Sequence, residues 1–110
     1  MKRKIATFLT IAAVAAPLLA FAQSDDAGKA FQEVMDKMHM SMNMDYAGDP
    51  DVHFVKSMIP HHQGAIDMAE VELKYGKDPK AREFAAKIIE AQKAEIEEMN
   101  AWLKEHGQKD

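Results

Sequence analysis

The sequence predicts an all-α fold, an up-down bundle of three main helices. After residue 22 there is no sustained alternation of apolar and polar residues, and β-branched residues are few, so strand signals are weak. Apolar residues recur instead at spacings of three and four in three segments. Asp-Pro pairs at 49–50 and 78–79 mark two helix starts, and Gly76 and Gly107 mark two ends. Short connections favour antiparallel neighbours.

The first segment begins close to a secretory leader. Three basic residues follow Met1, an apolar run covers 5–19, and Ala-Phe-Ala at 20–22 is the small-x-small pattern that a signal peptidase cleaves. We expect cleavage before Gln23, a helix capped by Ser24, and a periplasmic or secreted protein with no stable membrane anchor. A retained anchor is disfavoured because a span needs about 20 apolar residues. The predicted domains are a cleaved leader (1–22), a methionine-rich helix and turn (23–48) and a bundle core (49–107).

Composition excludes several classes of function. Without the leader, 11 basic residues stand against 18 acidic ones, a net charge of about −7, so we expect cations and not nucleic acid as partners. The absence of cysteine excludes disulfides, thiolate metal sites and c-type haem. Paired Glu-x-x-His motifs, phosphate-binding loops and a nucleophile with its base are all missing from the sequence, which indicates a binding protein and not an enzyme.

Methionine and histidine surround the middle of the second segment, at Met58, His61, His62 and Met68. On an ideal helix His62 points to the middle of the apolar stripe and His61 to its edge, with Met58 one turn before both. Thioether sulfur and imidazole nitrogen suit Cu(I) better than hard cations, and thioethers form no disulfides in an oxidising compartment. We predict a metal site here, with ordinary core packing as the alternative.

A denser cluster lies near the end of the first segment. It consists of Met35, Met38, His39, Met40, Met42 and Met44. In an extended chain the methionines at every second position would lie on one side; these are Met38, Met40, Met42 and Met44. In a helix Met35, His39 and Met42 share a face and Met38 joins the core stripe. Core packing does not explain methionines beside polar neighbours, such as Met40, so we predict metal capture in this cluster as well. Both conformations stay open.

Pro60 stands directly before the two histidines, inside the second segment. In an ordinary helix interior it costs about 3 kcal/mol, because it lacks the N–H and presses on a carbonyl. We predict a kink that either lets a long helix follow its neighbours or re-aims His61 and His62.

On the third segment, Gln92, Glu95 and Met99 face inward together. A half-buried Glu95 needs a partner, and His61 or His62 would supply one. The alternative places this carboxylate at the wet edge of the stripe. His106, at the C-terminal end of the same segment, is placed to offset the helix dipole.

The stretch from Asp51 to Ala69, with its Met-Ile-Pro-His-His run, resembles the signature of the CopM-like family, exported ferritin-like proteins long catalogued as a domain of unknown function. Residues 88–103 are similar to the second block of that family. The resemblance implies a ferritin-like bundle that binds copper and silver in metal resistance. By position it implies the ligands Met58, His61, His62, Met68 and Met99. A ferritin-like bundle has four helices and this chain offers three. A break at Pro60 that divides the second helix, or a homodimer, would supply the missing helix.

Three hypotheses about function follow. The leading one is an exported protein that buffers or passes Cu(I), and Ag(I) with it, with metal ions and another copper-handling protein as partners. The second is a small acidic helical module that binds no metal and dimerises through its apolar face. The third, a copper oxidoreductase, is least favoured because a methionine-rich site holds Cu(I) and does not favour cycling it.

Overall fold

The structure, a computed structural model, describes residues 16–42 and 48–108, with backbone alone for 16–24. It contains three helices, α1 (Ala16–Met42), α2 (Pro50–Tyr75) and α3 (Pro79–Glu105), and no strand in the described part of the chain. The predicted all-α bundle is confirmed. The middle helix α2 packs against both neighbours, while the backbones of α1 and α3 stay apart within their described ranges. None of the described helices is long and apolar enough to cross a membrane.

The predicted Asp-Pro starts and glycine ends set most of the helix boundaries. Asp49 and Asp78 accept hydrogen bonds from backbone N–H groups two and three residues further on, at 2.9 and 2.8 Å, and a proline follows each. Gly107 adopts a φ of 73°, and beyond it the N–H of Gln108 donates to the carbonyl of Leu103 at 2.9 Å. This left-handed cap is the reason that a glycine ends α3.

Two boundaries differ from the prediction. Ser24 does not cap α1, because the helix begins at Ala16 and includes Ser24. The alanine, leucine and phenylalanine residues before the expected cleavage point are helix-compatible and extend the helix while they remain attached. Gly76 ends α2 as expected, but in an extended conformation, with φ −72° and ψ 152°. A side chain there would collide with the carboxylate of Glu72.

Several predicted features fall outside the described residues. They are most of the leader (1–15), Met44, and the first two residues of the turn expected at 46–48. Gly48, the last residue of that turn, has a φ of 100°, which favours glycine. Pro60 lies inside a helix that continues to Tyr75, so the proline does not divide α2 into the two helices that a count of four would need.

The close approach of α1 to α2 occurs at Gly64. A Cβ atom placed on Gly64 would lie 2.6 Å from the sulfur of Met38, so only glycine leaves room for this side chain. The prediction that Met38 joins the core of a helical cluster is therefore confirmed. An ion pair between Lys37 and Asp67, at 3.6 Å, lies beside the same contact.

The core is small, and one side of the helical layer stays open. Among the described residues, only Ile66, Ala69 and Ala85 are buried apolar side chains. Phe54 and Phe84, which the apolar periodicity places on buried stripes, are 62% and 53% exposed. The expectation of burial is wrong because three helices in one layer leave no second layer above α2 in the described chain.

A groove of about 340 Å³ runs along this side, which we call the open apolar face. Four alanines form its floor: Ala65, Ala69, Ala81 and Ala85. Four larger apolar side chains stand around them: Phe31, Met68, Phe84 and Ile88.

Candidate functional site

His62 is held from both ends of its ring at the interface of α2 and α3. Its side chain is only 15% exposed. Nδ1–H donates to the carbonyl oxygen of Met58, one turn earlier on α2, at 2.8 Å. The opposite nitrogen, Nε2, points to α3 and contacts Oε2 of Glu95. The sequence left two histidines as partners for Glu95, and the structure selects His62.

A second contact fixes the register of the two helices. At the other end of the α2–α3 hairpin, the guanidinium of Arg82 donates to the carbonyl of Leu73 at 2.6 Å and to that of Gly76 at 3.1 Å. These contacts and the pair of His62 with Glu95 describe one antiparallel alignment. In that alignment the residue one turn before His62 lies opposite the residue one turn after Glu95.

Those two residues are methionines. Met58 and Met99 are both half-buried, and they face each other by register across the interface. We call Met58, His62, Glu95 and Met99 the α2–α3 cluster. Its side chains offer an imidazole nitrogen, two thioether sulfurs and a carboxylate. Within the described residues, no three His, Asp or Glu side chains come together as a metal site.

The hydrogen bonds of His62 bear directly on its capacity as a ligand. Metal-binding histidines usually donate one ring N–H to a carbonyl or carboxylate, which fixes the tautomer and leaves the other nitrogen for the ion. The bond from Nδ1 to the Met58 carbonyl is of this kind. The other nitrogen, Nε2, contacts the carboxylate of Glu95, so an ion bound at Nε2 would replace that contact.

His61 and Met68 do not join the α2–α3 cluster. His61 is exposed, and its ring centroid lies 6.3 Å from that of His62 with the planes 61° apart. Met68 is exposed as well and lines the open apolar face. The ligand set that the resemblance implies is therefore divided between the α2–α3 interface and the open side of α2.

The N-terminal methionine cluster is helical from Met35 to Met42, so an extended conformation of this part is wrong. Met35, Met38 and Met42 are half-buried, while His39 is exposed. Met40 is 73% exposed, as its polar neighbours indicated. The cluster lies on the flank of α2 that α1 covers, so it would form a site separate from the α2–α3 cluster.

The remaining histidines serve local structure. Nδ1–H of His106 donates to the carbonyl of Trp102 at 2.7 Å, and the two rings stack with centroids 3.8 Å apart. His106 is the C-cap of α3, in agreement with the predicted role at the helix dipole. His53 contacts the hydroxyl of Ser57 at 3.3 Å.

Sequence reasoning missed two structural contacts that position the site. The contact of Met38 with Gly64 had a signal, since a glycine inside an apolar helical stretch often marks a close approach. No sequence pattern indicated the hydrogen bonds from Arg82 to the end of α2, because an arginine near the start of a helix is usually a solvent-exposed surface residue.

The fold and site define the class of this protein, an antiparallel all-α helical bundle with histidine and methionine between two helices. The chain belongs to the family described as "Domain of unknown function (DUF305)", whose sequence pattern matches residues 11–103 and whose fold is ferritin-like. It is also similar to "Uncharacterized protein L153" of Acanthamoeba polyphaga mimivirus, with 42% identity over 55 residues. That match covers 50% of this chain and 36% of the viral protein, so the chain spans about a third of that relative's length.

Proposed function

We propose that this chain is an exported copper-binding protein, which sequesters or buffers Cu(I), and Ag(I) with it, for metal resistance or homeostasis. The observation that carries the proposal is the position of His62. One ring nitrogen is fixed on the Met58 carbonyl and the other points across to α3, one turn from the level at which Met58 and Met99 face each other by register. The resemblance of residues 51–69 to the CopM-like family supports the same ion.

The chemistry of the donors favours a soft ion. Imidazole and thioether ligands together select Cu(I) over Mg²⁺, Ca²⁺ and Zn²⁺, whereas a carboxylate alone prefers hard cations. Glu95 is 52% exposed, so its side chain can turn to solvent when an ion occupies Nε2. Thioethers carry no proton at working pH, and they remain ligands under acid conditions that protonate imidazole.

The N-terminal methionine cluster supplies a second capture site in this proposal. Met35 and Met42 flank His39 by one turn on each side, and Met40 stands free of the core. A net charge of about −7 after leader removal attracts cations from solution. Another copper-handling protein would deliver or receive the ion at this exposed end of α1.

An anaerobic Cu(I) titration of residues 23–110 against a strong chelating competitor tests the proposal. We expect the triple variant Met58→Leu, His62→Gln, Met99→Leu to bind at least tenfold more weakly, about 1.4 kcal/mol of binding free energy. Leucine conserves the volume of methionine, so the core is retained. His53→Gln is the matched control. A loss of less than tenfold would rule out the α2–α3 cluster as the principal site.

A parallel variant separates the two clusters. Met35→Leu, His39→Gln, Met42→Leu removes the ligands of the α1 face and leaves the α2–α3 interface unchanged. We expect it to reduce the number of ions bound without weakening the tightest one. Ag(I) serves as an air-stable probe in the same titration. Equal binding by both triple variants and the unmodified chain would contradict the whole proposal.

A second candidate function is a metal-free interaction module, which the open apolar face favours. The two candidates differ in thermal unfolding. An ion that binds only the folded state must raise its stability, so the copper hypothesis requires a melting temperature that rises with Cu(I). The interaction module requires that copper and chelators both leave it unchanged.

A further inference from the structure

The proposed copper function leaves the open apolar face unexplained. α1 and α3 flank α2, and their backbones stay apart in the described chain, so the three helices form one layer. A helical layer with an apolar side buries that side against a second layer in a stable domain. Of the residues outside the described ranges, the five between α1 and α2 are too few to form a covering helix, and residues 1–15 belong to the leader that we expect to be cleaved.

The two sides of the layer differ in polarity. The groove between α1 and α2 on the other side is lined by charged residues, including Glu33, Lys37, Asp67 and Lys74. On the open apolar face, Glu72 is the one charged residue that lines the groove in the described chain. Covering the apolar side therefore stabilises the protein, whereas covering the charged side is unfavourable because burial of charged groups without partners is costly.

The shape of the open apolar face suits a second copy of itself. Its floor is made of four alanines and its rim carries the larger side chains of Phe31, Met68, Phe84 and Ile88. Large side chains from one copy can enter the alanine-lined floor of the other, as knobs enter holes between packed helices. Charges of both signs are also at hand: the carboxylate of Glu72 lines the groove, and the ammonium of Lys80 stands over the Phe84 ring, 5.1 Å from its centroid. Lys80 already pairs with Glu83 at 3.3 Å, and because this pair is exposed, exchanging it for Glu72 of a second copy costs little.

We propose that the open apolar face docks a second copy of this chain in a two-fold symmetric dimer. Each copy supplies the second helical layer that the other lacks. In a two-fold contact the same patch meets itself, so one surface has to provide both projections and recesses, as this one does. Such an interface buries Phe84 and Ile88, which are large exposed side chains in the single chain.

The dimer would also bring a second set of soft ligands to the interface. His61 lies one turn before Ala65 and two turns before Met68 on α2, and the latter two line the groove. Docking places His61 and Met68 of both copies along one seam, where a single copy offers only one set. This extension rests on the proposed copper function, whereas docking itself does not.

Sedimentation velocity on residues 23–110 tests docking, with a chelator present and at roughly 1–100 µM chain, which brackets micromolar dissociation constants. We expect a dimer. Phe84→Glu and Ile88→Lys should each raise the dissociation constant of the dimer at least tenfold. The two substitutions change the net charge in opposite directions, so weaker dimerisation in both would be due to the lost apolar contact and not to charge. Met40→Glu and Met40→Lys, at an exposed methionine outside the groove, should leave it unchanged. Circular dichroism confirms equal helicity in all variants.

The outcomes separate the two proposals. A chain that stays monomeric at the highest concentration, or groove variants that dimerise as the Met40 controls do, would overturn docking. A dimer that forms without metal, but holds no more Cu(I) per chain than the Phe84→Glu monomer, would retain docking and remove the seam site. Monomeric full-length chain beside dimeric residues 23–110 would support docking and show that the leader competes for the same face.

Discussion

His62 is held in place by contacts at both ends of its ring. Rotation of its ring is restricted at both ends, by the Met58 carbonyl on its own helix and by Glu95 on the next. A ligand fixed in this way loses little conformational freedom on binding, and preorganisation of this kind increases affinity. The ring therefore contributes both to the α2–α3 interface and to the proposed copper site.

The pair of His62 and Glu95 should contribute modestly to folding. Because Glu95 is 52% exposed, solvent screens the interaction, and we expect Glu95→Gln to destabilise the chain by about 0.5–1 kcal/mol. Urea unfolding of the metal-free chain measures this change. Glu98→Gln, at an exposed position on the same helix, is the control and should change stability by less than about 0.5 kcal/mol. Equal effects of the two substitutions would mean that the contact with His62 stabilises nothing.

The parts of the site that depend on the periodicity of a single helix could be predicted from the sequence, whereas the parts that depend on how two helices pack could not. Helical periodicity placed His62 inside and His61 at the edge, as the structure has them. It left Glu95 open between an inward position and the wet edge of the stripe, and the 52% exposure of Glu95 corresponds to the edge. The choice of His62 as the partner of Glu95 depends on the register between two helices. Arg82 and the α2–α3 turn set that register, and no local pattern reports it.

At the scale of elements, α1 packs against α2 where Met38 contacts Gly64, and this close contact leaves no room for a larger residue at position 64. Gly64 interrupts an otherwise strong helix, and its missing side chain makes room for Met38. Glycine costs about 1 kcal/mol relative to alanine in a helix interior. The packing of Met38 offsets that cost, and it also orients the α1 face that carries His39.

Two glycine substitutions test this account. Gly28→Ala adds a methyl group with no atom within 4 Å, so helix propensity alone acts and we expect about 0.5–1 kcal/mol of stabilisation. Gly64→Ala gains the same propensity but places Cβ 2.6 Å from the Met38 sulfur, and we expect a net loss of about 1 kcal/mol. Chemical denaturation measures both.

The double variant Gly64→Ala, Met38→Ala separates the steric clash between residue 64 and Met38 from the effect of helix propensity. Removing the Met38 sulfur should make Gly64→Ala stabilising, so the two changes should couple by about 1 kcal/mol or more. Additive effects of the two substitutions would show that the close approach at Gly64 is not what keeps this residue a glycine.

Helix boundaries were predictable where the signal lies within a few residues. The Asp-Pro starts of α2 and α3 and the left-handed Gly107 depend on backbone groups in the adjacent turn. Ser24 was misassigned because capping at this residue competes with extension of the helix towards its N-terminus, and in the structure the helix extends to Ala16. Gly76 ends α2 in an extended conformation that any residue can adopt, so the left-handed cap that a glycine usually supplies is not what ends this helix.

At the scale of the whole molecule, the order of contacts along the layer decides what is buried. Periodicity identifies the residues that share a stripe, but it cannot say whether anything covers that stripe. Phe54 and Phe84 belong to apolar stripes and are still exposed, because α1 and α3 occupy the flanks of α2 and not the space above it. The same arrangement divides the implied metal ligands between two sides of α2.

Unequal attachment of the helices should also produce unequal local stability. α2 packs on both flanks and contains the buried Ile66 and Ala69, whereas α1 packs against α2 alone among the described helices. Segments with fewer buried contacts open at lower free energy. In the Phe84→Glu chain, which removes the effect of docking, we expect backbone amides of residues 25–42 to exchange at least tenfold faster than those of 64–69.

Hydrogen exchange followed by mass spectrometry, with and without Cu(I), measures this difference and locates the ion in the same experiment. Binding at the α2–α3 cluster should slow exchange around 58–62 and 95–99, because an ion that holds only the closed interface makes its opening rarer. Protection gained only in α1 would instead assign the tight site to the N-terminal methionine cluster. Equal exchange in α1 and the centre of α2 would mean that the three helices open as one unit, which a helix held on one flank should not do.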